Sequence, residues 1–189
     1  MPAAEGKIES IIEEMLNVYE ELNLFYDISS SLIYTSDLEK TLDLILHKAM
    51  DILEADKSAI TVLDDSKNTW KILRGWMGGS PISPDPSREI SIGGTILEKA
   101  INTKKGMIVN DITKSGNDLN PLIARKSLLC VPLHGKNGII GILTLGDRTK
   151  TGFSSKDLKL STVLSSQAAL VIENARLIQA HLEKENSRP

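Results

Sequence analysis

A chain of 189 residues with 41% apolar content can bury one proper core, and 25 acidic against 22 basic residues leave a net charge of −3. That balance, only 4% aromatics and no basic stripe argue against a nucleic-acid surface. A single cysteine, Cys130, rules out an intrachain disulfide framework and points to the cytoplasm, while no apolar run has the length of a membrane span or a leader, so no membrane contact by this chain is expected.

From Ile8 onward the pattern is helical. Ile8, Ile11, Met15, Val18, Leu22, Phe25, Ser29 and Leu32 follow 3-4 spacing, a heptad seam broken only by Ser29. Such a seam packs either on its own domain or on a second copy. Residues 1–35 therefore read as a dimerising or signalling helix. Ser36 or Asp37 caps a second helix running to about Glu54, with Leu38, Leu42, Ile45, Leu46, Ala49 and Leu53 on one face. His47 lies off that face and is expected in solvent. Ser58–Leu63 and Thr69–Trp76 read as paired strands. Met77–Ser87 holds two Gly and three Pro and is expected to be loop. A short strand, Glu89–Ile92, precedes Gly93-Gly94-Thr95 and a helix from Ile96 to Thr103. Met107–Val109 is another short strand, Asn110–Asn120 a loop, and Pro121–Lys126 a brief helix.

The middle of the chain is its greasiest part. Leu128–Leu133 and Ile139–Leu145 flank His134-Gly135-Lys136-Asn137-Gly138, whose Asn-Gly suits a tight hairpin turn. Both runs are nearly continuous in hydrophobicity, as in strands covered on both faces. Pro132 cannot donate to a ladder, so an irregularity is expected beside it. Gly141 and Gly146 suggest close approach. After a polar loop, Ser154 or Ser155 caps a last helix running to about Lys184. Leu164, Ala168, Val171, Ala175, Ile178 and Leu182 give it a second heptad seam. The element order yields few parallel crossovers. It predicts an α+β fold with a central antiparallel six-stranded sheet, helices on both sides and long terminal helices. The sheet core would span 36–155, and 156–189 would be a C-terminal signalling helix and tail.

Ser127-Leu128-Leu129-Cys130-Val131-Pro132-Leu133, Gly138-Ile139-Ile140-Gly141-Ile142-Leu143 and Phe153-Ser154-Ser155-Lys156-Asp157-Leu158, in this order of elements, resemble the GAF domain. Gly94–Ala100 before Val109-Asn110-Asp111 adds to that resemblance, which covers about Leu22 to Leu182. GAF domains are small-molecule sensing and regulatory modules of signalling proteins. The resemblance implies a pocket between the sheet and the third and fourth helices, lined by Trp76, Ile92, Thr95, Ile96, Val109, Asp111 and Ser127. Thr95 and the amides of Gly94 to Ile96 open a helix, where an anionic group such as phosphate can sit. The opposing reading is that these residues close over a filled core.

Cyclic-nucleotide-binding relatives carry an Asn-Lys, Phe, Asp-Glu signature. Here Asp147-Arg148 stands for Asn-Lys, Phe153 and Asp157 match, and Leu158 replaces Glu, which speaks against a cyclic nucleotide. Arg148 and Asp157 retain the signature's ion pair. Bilin-carrying relatives need a cysteine in a pocket loop, whereas Cys130 lies inside an apolar strand. His47, His134 and His181 fall on separate elements without metal-ligand spacing, which argues against zinc or haem. The related methionine sulfoxide reductases use several cysteines. Cys130 and His134 would stand about 13 Å apart on one strand.

The sequence thus predicts a non-enzymatic sensor domain of a bacterial-type signalling protein. A small molecule of unspecified identity would occupy the pocket. A homodimer through the terminal helices would relay its state to an attached or partner output domain. The alternatives are a structural dimerisation module with no ligand and, more remotely, a thiol-dependent enzyme of the methionine sulfoxide reductase type.

Overall fold

The computed structural model describes residues 6–8, 10–16, 18–19, 22–23, 26, 37–64, 69–82, 89–115, 123–148 and 152–186. The chain divides into two units, Met1–Ser36 and Asp37–Pro189. In the first, every described residue is helical. Ile8, Ile11, Met15, Val18 and Leu22 of the expected seam are exposed. Its remaining positions, Phe25, Ser29 and Leu32, lie outside the described residues.

The second unit opens on Asp37. Its carboxylate accepts the Glu39 and Lys40 amides at 3.1 and 3.4 Å and so caps helix α1, Leu38–Leu53. Glu54, with φ 50°, closes the helix in the left-handed conformation. Leu42, Ile45, Leu46, Ala49 and Leu53 are buried on one face. Each large side chain so buried contributes about 1.5–3 kcal/mol.

Strand β1, Ala55–Asp64, lies at the centre of the sheet between β2, Thr69–Met77, and β7, Gly138–Arg148. Beyond β7 come β6, Leu128–Gly135, and β5, Met107–Val109. Two short strands, β3, Ser80–Pro81, and β4, Glu89–Ile90, pair with opposite ends of β2. All these pairings are antiparallel. Among the described residues the sheet has seven strands, one more than expected, because Ser80–Pro81 folds back on Trp76–Met77 despite its proline. An edge strand tolerates the missing donor.

Helices α1 and α4, Ser155–Asn186, contact the sheet and each other, while α2, Ile96–Thr103, packs against β6 and β7. The hairpin β6–β7 is buried along most of both strands. Its turn is Lys136-Asn137, and the irregularity expected near Pro132 falls between Leu133 and His134. A Cβ on Gly146 would stand 2.2 Å from the Ile123 carbonyl, and one on Gly141 would stand 2.6 Å from the Thr61 carbonyl, so both glycines mark close approach.

The expected helix before β6 is not there among the described residues. Ile123–Lys126 is turn and bend, and a short helix, α3, Ile112–Ser115, forms earlier where loop was expected. The cause is Asp147. Its Oδ1 accepts the Arg125, Lys126 and Ser127 amides at 2.8, 2.6 and 3.4 Å, so a side chain takes the donors that a helical ladder would need. Asp147 itself has φ 59°, a conformation that Asp adopts more readily than most residues.

Candidate functional site

The face of the sheet that α2 covers carries a distinct core cluster. Ile90, Leu97, Ala100, Ile112, Ile123, Ala124, Leu128, Cys130 and Ile142 are buried there, and Trp70, Ile72, Ile92, Ile96, Met107 and Val109 pack against it. Three of the expected lining residues, Ile92, Ile96 and Val109, are therefore brought together. Thr95 joins them as the N-cap of α2. Its hydroxyl accepts the Leu97 amide at 3.2 Å and donates to the Ile92 carbonyl at 2.5 Å. The Glu98 carboxylate accepts the Gly94 amide at 2.8 Å. An anion at this helix start would compete with a carboxylate already in place.

The other expected residues are committed elsewhere. Ser127 is buried at the start of β6, where its hydroxyl accepts the Arg148 amide at 3.1 Å. Asp111 is half-buried and accepts from the Thr113 hydroxyl at 2.5 Å and Lys114 at 2.9 Å. Those two partners hold its carboxyl down at about 2. Trp76 stands against α1 rather than α2. Its indole donates to Asp43 at 2.8 Å, and its ring lies 4.1 Å from that of His47. Asp43 also takes two hydrogen bonds from Arg74, at 2.7 and 2.6 Å. The reason is a β-bulge: Ile60 pairs with Arg74 and Thr61 with Ile72, leaving Leu73 as an extra residue. One extra residue turns the following side chains to the other face. His47 is exposed as expected, but its ring is partnered by Trp76.

The sequence reading missed Thr61. Its register places it between Ile142 on β7 and Ile72 on β2, both in the α2-side cluster. It is wholly buried, and its hydroxyl has no hydrogen-bond partner among the described residues. An unsatisfied buried hydroxyl costs about 1–3 kcal/mol. The signal in the sequence was a polar residue in the middle of the apolar run Ser58–Leu63.

Cys130 is fully buried on β6, and burial pushes its thiol up to about 12. His134 is exposed on the same strand. A thiol held neutral and shut away from solvent is a poor nucleophile.

A clasp ties this face to the last helix. Asn110, just after β5, takes the Phe153 amide on its Oδ1 at 2.7 Å and donates to the Phe153 carbonyl at 3.0 Å. Ser154 and Asp157 then form a reciprocal cap on α4. The Asp157 carboxylate accepts the Ser154 amide at 2.6 Å, and the Asp157 amide donates to the Ser154 hydroxyl at 3.3 Å. Arg148 pairs with Asp157, as the signature ion pair required, and its guanidinium stands 6.0 Å from the centre of the Phe153 ring. These residues are spent on joining β7 to α4.

Residues 35–173 match the GAF domain family. The chain is a GAF domain. Its fold is similar to that of the GAF domain from an Acinetobacter phosphoenolpyruvate-protein phosphotransferase, with a TM-score of 0.72 at 16% identity, covering 84% of this chain and 96% of the other. It is also similar to free methionine-R-sulfoxide reductase from Neisseria meningitidis, solved with its substrate, with a TM-score of 0.66 at 15% identity, covering 84% and 91%. In sequence it is 22% identical over 176 residues to Diguanylate cyclase A of Treponema denticola, covering 90% of this chain. It spans only 47% of that relative's length. The expected antiparallel α+β GAF fold is therefore present, and GAF domains are characteristically regulatory. No helix among the described residues is long and apolar enough to cross a membrane.

Proposed function

We propose that this GAF domain is a non-enzymatic sensor that binds a small molecule under α2 and relays its presence through α4 in a homodimer. The observation that carries the reading is the join between the two. The register of β1 turns the Thr61 hydroxyl, which has no partner among the described residues, toward the α2-side cluster, and Val109 packs against that cluster. Asn110, the next residue, clasps the backbone leading into α4. A ligand that hydrogen-bonds Thr61 and repacks Ile92, Ile96 and Val109 would shift β5, and β5 would shift the start of α4. The ligand biases a two-state helix packing by its differential affinity for the two states.

Ligand pockets are mostly apolar with a few polar groups that fix orientation, which is the composition found here. The burial of Cys130 supports a non-enzymatic role over a thiol chemistry like that of the reductase relative. An output domain, attached or in a partner protein, would read the movement of α4. A thermal-shift screen of the full chain against nucleotides, amino acids and organic acids tests the ligand. A concentration-dependent rise in melting temperature that Thr61→Val abolishes is the expected result. No shift with any compound would favour a structural dimerisation module.

A further inference from the structure

The turn that Asp147 organises has two sides. Ile123 and Ala124, at its start, belong to the α2-side cluster, whereas Arg125 and Lys126 are exposed and line a cleft of about 530 Å³ at the end of the sheet. Lys57, near the start of β1, lies deepest in that cleft. Its side chain is only 5% exposed, and its ammonium bonds Asp147 Oδ2 at 2.8 Å. Arg148, the last residue of β7, adds a fourth cation, and Asp56 and Met77 complete the lining. Four cations therefore converge with two carboxylates, Asp56 and Asp147, in a chain whose net charge is −3, so the cleft reverses the sign of the whole. Asp147 does little to cancel them, because its carboxylate is shared among three turn amides as well as Lys57. Arg148 engages Asp157 and the Gly152 carbonyl through Nη1, while its Nε is buried with no partner among the described residues. A cleft lined by one sign of charge concentrates ions of the other.

We infer that this cleft is a second ligand site, separate from the α2-side pocket, and that it takes the phosphoryl group of a small hydroxylated phosphomonoester. The charge calls for an anion, and the arrangement of the cations selects its shape. They come from three directions: Lys57 from β1, Arg125 and Lys126 from the turn, and Arg148 from the end of β7. A planar carboxylate is matched by a single fork, whereas a tetrahedral dianion presents oxygens to all three. The volume lies within the range of small-molecule sites, about 300–1,000 Å³. The rest of the lining suits the rest of such a ligand. The exposed Asp56 carboxylate accepts from hydroxyls, and Met77, 37% exposed, offers an adaptable apolar surface. The inference does not depend on occupancy of the α2-side pocket.

Amide proton–nitrogen correlation spectra of the full chain, titrated with ribose phosphate, test this. Saturable shifts at Arg125, Lys126, Ser127 and Arg148 are expected, absent with free ribose and weakened by added salt, since two of the four cations are exposed. In calorimetry, Arg125→Gln combined with Lys126→Gln retains both amides on Asp147 and should weaken ribose phosphate about tenfold or more. Lys99→Gln, an equal loss of charge on α2, should leave it within about twofold. No saturable shift, or undiminished binding by the double variant, overturns the site. Shifts confined to Ile92, Ile96 and Val109 would put the compound in the α2-side pocket and overturn the cleft while that pocket stands. Citrate binding as tightly as ribose phosphate overturns the phosphoryl assignment.

Discussion

Removing the Asp147 carboxylate should unseat the turn that positions β6. In Asp147→Ala the Lys57 ammonium, bonded to Asp147 Oδ2 at 2.8 Å with only 5% of its side chain exposed, loses its carboxylate. The amides of Arg125, Lys126 and Ser127 lose their common acceptor at the same time. Breaking a buried pair from one side costs about 3–5 kcal/mol. For a domain of this size that is roughly 6–20 °C in Tm, at about 2–4 °C per kcal/mol. Asp147→Asn should cost less, since Asn tolerates the positive φ and keeps an acceptor. The pH dependence has a definite sign. Burial raises the Asp147 pKa, but the Lys57 bond and the Lys126 and Arg125 amides outweigh it, and the carboxyl is held below its ordinary value. The contribution is therefore complete above about 3.9, the unfolded value, and is lost as pH falls through the folded one. Urea titrations of both variants at neutral pH and near pH 3 measure this. A cost under about 1 kcal/mol for Asp147→Ala at neutral pH would refute the claim that this pair is buried and structural.

Three further outcomes follow from the same coordinates. Thr61→Val removes an unsatisfied buried hydroxyl at nearly constant shape, so it should raise the stability of the ligand-free domain by about 1 kcal/mol in urea. Gly146→Ala should destabilise by more than about 2 kcal/mol, since its Cβ would meet a backbone carbonyl rather than a yielding side chain. Cys130 should resist a thiol reagent such as DTNB at pH 8 in the folded protein and react on addition of denaturant, its thiol being held neutral by burial.

The fold was legible where local signals agreed. Asp37 had both a capping side chain and an amphipathic run behind it, and the Leu128–Leu145 hairpin had an Asn-Gly turn between two greasy runs. The Arg148–Asp157 pair was legible because Arg148 keeps the cation of the signature's Lys position and Asp157 matches its Asp. The misplacements have specific physical causes. Trp76 was placed in the pocket lining by the GAF resemblance, but one bulged residue at Leu73 turns it toward α1. The supposed Pro121–Lys126 helix gave way, across Ile123–Lys126, to a turn organised by Asp147, more than twenty residues later in sequence. The second heptad seam was read as one line, whereas its first half is core and its second half is exposed. Sequence period shows that a helix has an apolar side but not which neighbour covers it. Thr61 was passed over because a threonine in a strand is ordinary until its hydroxyl is found alone.

Native mass spectrometry of the full chain, purified without denaturation, tests the sensor account most directly. The account predicts a dimer of the 20.7 kDa chain retaining an extra small-molecule mass, released on unfolding and lost or reduced in Thr61→Val. A bare chain mass, unchanged by that substitution and by every compound in the thermal-shift panel, would contradict it.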